Sequence, residues 1–149
     1  MSDPRNPDET GTVLVVDDIP ANRNLLRETL EPEGYEVLLA PDGEAALKIA
    51  QRAVPDLILL DVMMPRLDGF ETCRRLKQNE ATRRIPVIFI TAREETPAVM
   101  EGFRAGGVDY LTKPFQAEEV LIRLKTHLQN SRLTRVVLEK NKELEAARR

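Results

Sequence analysis

The chain has 149 residues, 42% hydrophobic and 32% charged, with a formal net charge of −3, which excludes a disordered or low-complexity protein and fits one domain with an appendage. Residues 125–149 carry seven Lys/Arg against three Asp/Glu, a net of +4, leaving 15 basic and 22 acidic residues, −7, for the remainder. A mixed-sign tail with no interleaved aromatic residue is a solvated helix rather than a grip on nucleic acid, so no direct nucleic-acid binding is expected of this chain.

Residues 1–10, with Pro4, Pro7 and several charges, have nothing to bury and are expected to be a disordered lead-in. Strand and helix patterns then alternate. Thr12 to Val16 reads as a strand, and Pro20 suits the first position of a helix running to about Glu33, with Leu25, Leu26 and Leu30 on one face. Gly34 ends that helix. Tyr35 to Leu39 is a second strand, Asp42 can cap a helix carrying Ala45, Ala46, Ile49 and Ala50, and Pro55 introduces a third strand, Leu57 to Leu60. Asp68 can cap a helix from Gly69 to about Glu80, and Pro86 opens a fourth strand. Pro97 falls in the first turn of a fourth helix that stops at Gly106-Gly107. Val108 to Thr112 is the last strand.

From about Gln116 the helical pattern meets no Pro or Gly up to Arg149. Five strand-helix repeats imply an α/β fold with an open five-stranded parallel sheet covered on both faces. A last helix of some thirty residues, roughly 45 Å at 1.5 Å per residue, is too long for such a domain. Val120, Leu121, Leu124 and Leu128 form a stripe for the sheet; beyond them Leu133, Val137 and Leu144 can share a seam that Lys140 interrupts. Residues 11–128 are therefore expected to be the domain and 129–149 a helical extension, a coiled coil or a linker.

Single Cys73 excludes an internal disulfide, the longest apolar stretch falls far short of a bilayer span, and the first residues are too polar for a signal peptide. A cytoplasmic protein with no membrane contact is expected.

Four apolar runs end on polar residues with chemistry: Val13–Val16 on Asp17-Asp18, Leu57–Leu60 on Asp61, Val87–Ile90 on Thr91, and Tyr110–Thr112 on Lys113. Carboxyl ends of parallel strands lie along one sheet edge, so these residues should meet there. Three carboxylates about 4 Å apart repel by about 4 kcal/mol per pair at an effective dielectric of 20, a penalty that a bound cation removes. An all-oxygen donor set favours Mg2+. Asp61 is the candidate nucleophile toward a phosphoryl group. Lys113 would offset the added charge, Thr91 would donate a hydrogen bond to it, and Ala92 would leave it space.

Val15-Val16-Asp17-Asp18, Leu59-Leu60-Asp61 with the loop to Asp68-Gly69, Ile90-Thr91-Ala92 and Asp109 through Phe115 together resemble the receiver domain of two-component response regulators, over about Thr12 to Leu128. The resemblance implies a flavodoxin-like, chemotaxis-receiver order of strands, 2-1-3-4-5. It further implies that Asp61 accepts phosphate from a sensor histidine kinase or phosphotransfer protein. Asp18, Asp61 and the Met63 carbonyl would hold Mg2+, or Mn2+ in its place, with Asp17 acting mainly through water. Thr91 and Tyr110 would form a switch, and Lys113-Pro114 a cis bond. Met63 and Arg93, each two residues past a site residue, are expected to tune the lifetime of the phosphorylated form by hindering water.

The surface made by the fourth helix, fifth strand and last helix often pairs two molecules in related receivers, so a homodimer through that face, through the C-terminal coiled coil, or both is expected. Asp109, Glu118, Glu119, Arg104 and Arg123 could form cross-subunit pairs, although solvation is the usual fate of such charges. His127, lacking an acidic neighbour and a following Pro, reads as a helix-surface residue rather than a phosphodonor. An aspartate-nucleophile phosphatase would resemble Asp-x-Asp, whereas position 63 is Met; the chain is expected to signal rather than to be an enzyme. The tail leaves two readings open: a stand-alone receiver, or part of a longer protein with an output domain.

Overall fold

A computed structural model describes residues 11–92 and 96–147. Strands β1 (Thr12–Val16), β2 (Glu36–Ala40), β3 (Leu57–Asp61), β4 (Val87–Thr91) and β5 (Asp109–Thr112) alternate with helices α1 (Pro20–Leu30), α2 (Gly43–Ala53), α3 (Gly69–Gln78), α4 (Thr96–Arg104) and α5 (Ala117–Ala147). The strands form one parallel sheet in the order β2-β1-β3-β4-β5. That order follows from crossovers of one hand in which α1 covers one face and α2 and α3 the other, so the winding reverses beside β1 and opens a crevice at the carboxyl edge.

Strand alternation divides the core into two layers. Val13, Val15, Leu57, Leu59, Ile88, Ile90 and Leu111 face α1 and α5, meeting Leu26, Leu30, Val120, Leu124 and Leu128. Leu14, Val16, Ile58, Leu60, Val87 and Phe89 face the other way, onto Ala46, Ala50, Cys73 and Leu76 of α2 and α3. Every residue of β3 and β4 is buried, which is why those strands read as unbroken apolar runs.

Local signals act where expected. The Asp42 and Asp68 carboxylates accept the backbone N–H groups of Ala45 and Glu71, each at 2.8 Å, and fix the starts of α2 and α3. Gly34 takes φ 96° after the 3-10 turn Glu31–Glu33 that finishes α1. Gly69 is required by proximity, since a Cβ there would lie 2.3 Å from the Asp61 carbonyl oxygen.

Several expectations need correction. Leu25 is 50% exposed, because the α1 stripe that meets the sheet passes through Leu26 and Leu30 only. α1 ends at Leu30 and α3 at Gln78, while β2 sits one residue later than the hydrophobic run suggested and β5 starts at Asp109. The lead-in expected over residues 1–10 lies outside the described residues, as does Arg93. No described helix is long and apolar enough to cross a membrane.

α5 is a single helix of 31 residues, about 46 Å long at 1.5 Å per residue. Its first half is seated on the sheet. Beyond Leu128 the side chains of Leu133, Val136, Val137 and Leu144 are exposed.

Candidate functional site

Asp17 and Asp18 follow β1, Asp61 is the last residue of β3, Thr91 the last of β4, and Lys113 follows β5. Because the strands are parallel and in register, with Val16 beside Leu60 and Asp61 beside Ile90, these ends converge. One carboxylate oxygen from each of Asp17, Asp18 and Asp61 lies within 4.8 Å of the others. Lys113 Nζ stands 3.3 Å from Asp61 Oδ1 and 3.4 Å from Asp17 Oδ2, so a single ammonium bridges two of the three acids.

The supports are visible in the backbone. The Lys113 N–H donates to the Thr91 carbonyl at 2.8 Å, tying the loop after β5 to the end of β4, and the Lys113–Pro114 bond is cis. Asp17 Oδ1 accepts the Ile19 N–H at 2.9 Å, an Asx turn that aims the remaining oxygen inward. Oδ2 is buried without a hydrogen-bond partner, its ammonium neighbour being misaligned for one.

Asp61 is only 2% exposed, and its pKa is pushed up to about 6. Burial is the main cause and the Asp17 charge the second; the Lys113 charge and hydrogen bond, and a hydrogen bond from the Met63 backbone, pull against them. The carboxylates are therefore under-compensated as they stand. An orphaned buried oxygen, crowded acids and an all-oxygen donor set fit a small, hard divalent cation.

Thr91 is buried and Ala92 exposed beside it. Met63 points its side chain to solvent, 72% exposed, while its backbone adjoins the Asp61 carboxylate. Tyr110 is half-buried and lines a crevice of about 10 Å3, space for about one water, together with Thr91, Val62, Phe89, Val99 and Phe103. Expected residues Asp17, Asp18, Asp61 and Lys113 thus form one cluster, with Thr91 beside it and Tyr110 across the crevice.

Two features escaped sequence reasoning. Arg23 of α1 donates from Nη1 to the Asp17 carbonyl at 2.6 Å, bracing the turn that carries both acids. His127 is not a plain surface residue: its Nε2 lies 2.9 Å from Asp109 Oδ2, and Arg123 Nη1 lies 2.9 and 2.8 Å from the two Asp109 oxygens. Asp109 and Arg123 therefore pair within the chain instead of standing solvated. The four-residue spacing of Arg123 and His127, which stacks them on one helix face, was the available signal.

An open parallel sheet with its acids and lysine gathered at the switch-point edge defines a flavodoxin-like signalling domain of the chemotaxis-receiver class. The response regulator receiver domain family matches residues 13–125, and the chain belongs to that family. It is 43% identical over 119 residues to the DNA-binding dual master transcriptional regulator RpaA of Synechocystis sp., covering 80% of this chain and 49% of that one. It is 48% identical over 114 residues to the response regulator PleD of Caulobacter vibrioides, covering 76% and 25%. The alkaline phosphatase synthesis transcriptional regulatory protein PhoP of Bacillus subtilis is 44% identical over 134 residues, covering 89% and 55%. The chain thus spans about half of the length of two of these curated relatives and a quarter of the third.

Among solved structures, a putative response regulator from Chloroflexus aurantiacus superposes with a TM-score of 0.77 at 38% identity, over 80% of this chain and 98% of that one. NtrX from Brucella abortus gives 0.83 at 30% identity, over 89% of this chain and 30% of that one.

Proposed function

We propose that the chain is a phosphoacceptor module in which Asp61 takes a phosphoryl group from a sensor histidine kinase or a phosphotransfer protein. An Asp61 carboxylate oxygen forms the bond to phosphorus as the phosphorus–nitrogen bond of the donor breaks, and the electron pair leaves with the imidazole. The observation that carries this reading is the buried Asp61 carboxylate, held 3.3 Å from Lys113 and inside a set of three acids within 4.8 Å.

Asp18, Asp61 and the Met63 carbonyl would hold Mg2+ or Mn2+, with Asp17 acting through water. When bound, the cation neutralises the acids and the transferred group. Lys113 pairs with the new phosphoryl oxygens, and the Thr91 hydroxyl turns to donate to them. Tyr110 then shifts within the crevice that it shares with Thr91, which links site and surface. The apolar Met63 side chain leaves no group to orient an attacking water, so phosphate loss is slow; Arg93 is assigned the same tuning role from its sequence position.

Residues 11–128 are the receiver and 129–149 a helical extension in this reading. The module works in the cytoplasm and acts on an output by changing its conformation or its pairing, through the α4, β5 and α5 face or the extension. RpaA is named as DNA-binding and PhoP as a transcriptional regulator, which supports a place within a longer regulator. Signalling, not turnover of a substrate, is its role.

Incubation with acetyl phosphate and Mg2+, followed by intact-mass measurement, tests the reading. One phosphoryl group should add in wild type, and none after Mg2+ chelation or in Asp61→Asn. Equal labelling of Asp61→Asn would overturn it, and so would steady hydrolysis of a generic phosphate ester.

A further inference from the structure

The Asp109 carboxylate joins three pieces of the molecule. Its Oδ1 accepts the Tyr110 N–H at 2.8 Å and Arg123 Nη1 at 2.9 Å, while its Oδ2 lies 2.8 Å from the same Nη1 and 2.9 Å from His127 Nε2. Arg123 is also held by Glu119, one turn earlier on α5, at 3.3 Å. Asp109 and His127 side chains are mostly buried, at 17% and 16% exposure, so the contact between them is shielded from solvent, while Arg123 reaches the same carboxylate from the rim at 40% exposure.

The rest of the seat of α5 is apolar. Val120, Leu124 and Leu128 press on the sheet through non-directional contacts that tolerate small slides and rotations. Hydrogen bonds to one carboxylate from two successive turns of a helix do not tolerate them, because their strength falls steeply with misalignment. Asp109 also lines the crevice shared by Thr91 and Tyr110, and the Tyr110 backbone cannot move without dragging on the same carboxylate. On the far side, α5 continues unbroken to Ala147, twenty residues past His127.

We infer that Asp109, Arg123 and His127 form a polar joint that couples the Tyr110 strand to the helix leaving the domain, so that the state of the Asp61 edge is read in α5. This rests on the reading of Asp61 as phosphoacceptor. Arg123 and His127 act as positioning residues, fixing the rotation of α5 about its axis. A change at Tyr110 that loosens or re-aims Asp109 frees that rotation, and the extension carries the change outward.

His127 is the single histidine of the chain, so its ring protons give an unambiguous signal in nuclear magnetic resonance. Full-length protein would be treated with beryllium fluoride and Mg2+, the 19F signal of the bound fluoride reporting the adduct at Asp61. Two responses are read: the His127 ring resonances, and amide exchange over residues 129–147. In wild type the adduct should move the ring resonances and change exchange in the extension by about threefold or more. In Asp109→Asn, and in the milder His127→Gln, the adduct should still form while the exchange response collapses. Adduct formation with unmoved His127 resonances overturns the joint, as does an exchange response that survives in both variants. Absence of the adduct in wild type overturns the phosphoacceptor reading, and the joint with it. The wild-type resonance measurement stands even if a variant fails to fold.

Discussion

Asp61, at the carboxyl end of β3, has its pKa pushed up to about 6, whereas Asp109, at the amino end of β5, is held below the usual carboxylate value. Burial works against ionisation at both. At Asp61 the Asp17 charge adds to it, and one lysine shared with that neighbour does not compensate. At Asp109 hydrogen bonds from His127, Arg123 and the Tyr110 N–H overcome the cost of burial. The two ends of one sheet thus show what a carboxylate is for. A satisfied one fastens structure, and an unsatisfied one stores unfavourable charge that a cation and a phosphoryl group can use.

The largest expected effect breaks the acidic end. Asp61→Asn should remove all labelling by acetyl phosphate and yet raise the stability of the metal-free protein, by about 1–3 kcal/mol in urea unfolding, because repulsion and desolvation of a charge are relieved. A destabilised Asp61→Asn in the absence of metal would contradict the contrast with Asp109.

The pH dependence sharpens the same comparison. Asp61 binds its proton more tightly folded than unfolded, so between about pH 4 and 6 the native state carries the extra proton and stability falls as pH rises, by up to about 3 kcal/mol for a shift of this size. Asp109 has the opposite sign: its contribution is full above the unfolded carboxylate pKa and is lost as pH falls through its lowered folded value. Denaturant titrations with a chelator should therefore find the protein less stable at pH 7 than at pH 5. Saturating Mg2+ should remove that decline, since a cation on the acids makes their ionised forms the favoured ones.

Removing the satisfied carboxylate costs stability instead. Asp109→Ala leaves His127 and Arg123 without their acceptor, and a loss of about 2 kcal/mol is expected from charge-assisted hydrogen bonds, reduced because Arg123 is 40% exposed. Met63→Asn should act on rate alone, speeding phosphate loss from the labelled protein several-fold with an unchanged unfolding midpoint. An unchanged or slower loss would remove Met63 from the tuning role.

The acidic end was legible in the sequence and the Asp109 joint was not, for a physical reason. Asp17, Asp18, Asp61, Thr91 and Lys113 each follow a buried run, and parallel topology brings run ends together without any knowledge of side-chain geometry. The same continuity made β3 and β4 plain. Asp109 sits at the opposite end of its strand, and its partners lie on a helix whose apolar stripe, Val120, Leu124 and Leu128, faces the sheet without fixing the last few tens of degrees of rotation. Which residues flank that stripe closely enough to reach Asp109 depends on a few tens of degrees of helix rotation, which periodicity does not resolve. Leu25 was misplaced for the same reason, one position off a stripe defined by Leu26 and Leu30.

The smallest expected effect concerns the two halves of α5. Val120, Leu124 and Leu128 are buried, whereas Leu133, Val136, Val137 and Leu144 are between 51% and 63% exposed. A polar replacement in the first half opens the core. In the second half it removes only surface that water already covers, so Leu133→Asp combined with Val137→Asp should leave the stability of an isolated molecule within about 0.5 kcal/mol. The same pair is decisive for assembly. If two extensions pack along Leu133 and Val137, the wild-type mass from light scattering is that of a dimer and the variant that of a monomer, with stability now falling as the protein is diluted. A wild-type protein that stays monomeric with and without phosphodonor would remove pairing through the extension. The exposed apolar residues would then be no more than the outer face of a lever, and the rotation of α5 set at Asp109 would carry the signal along the extension without pairing.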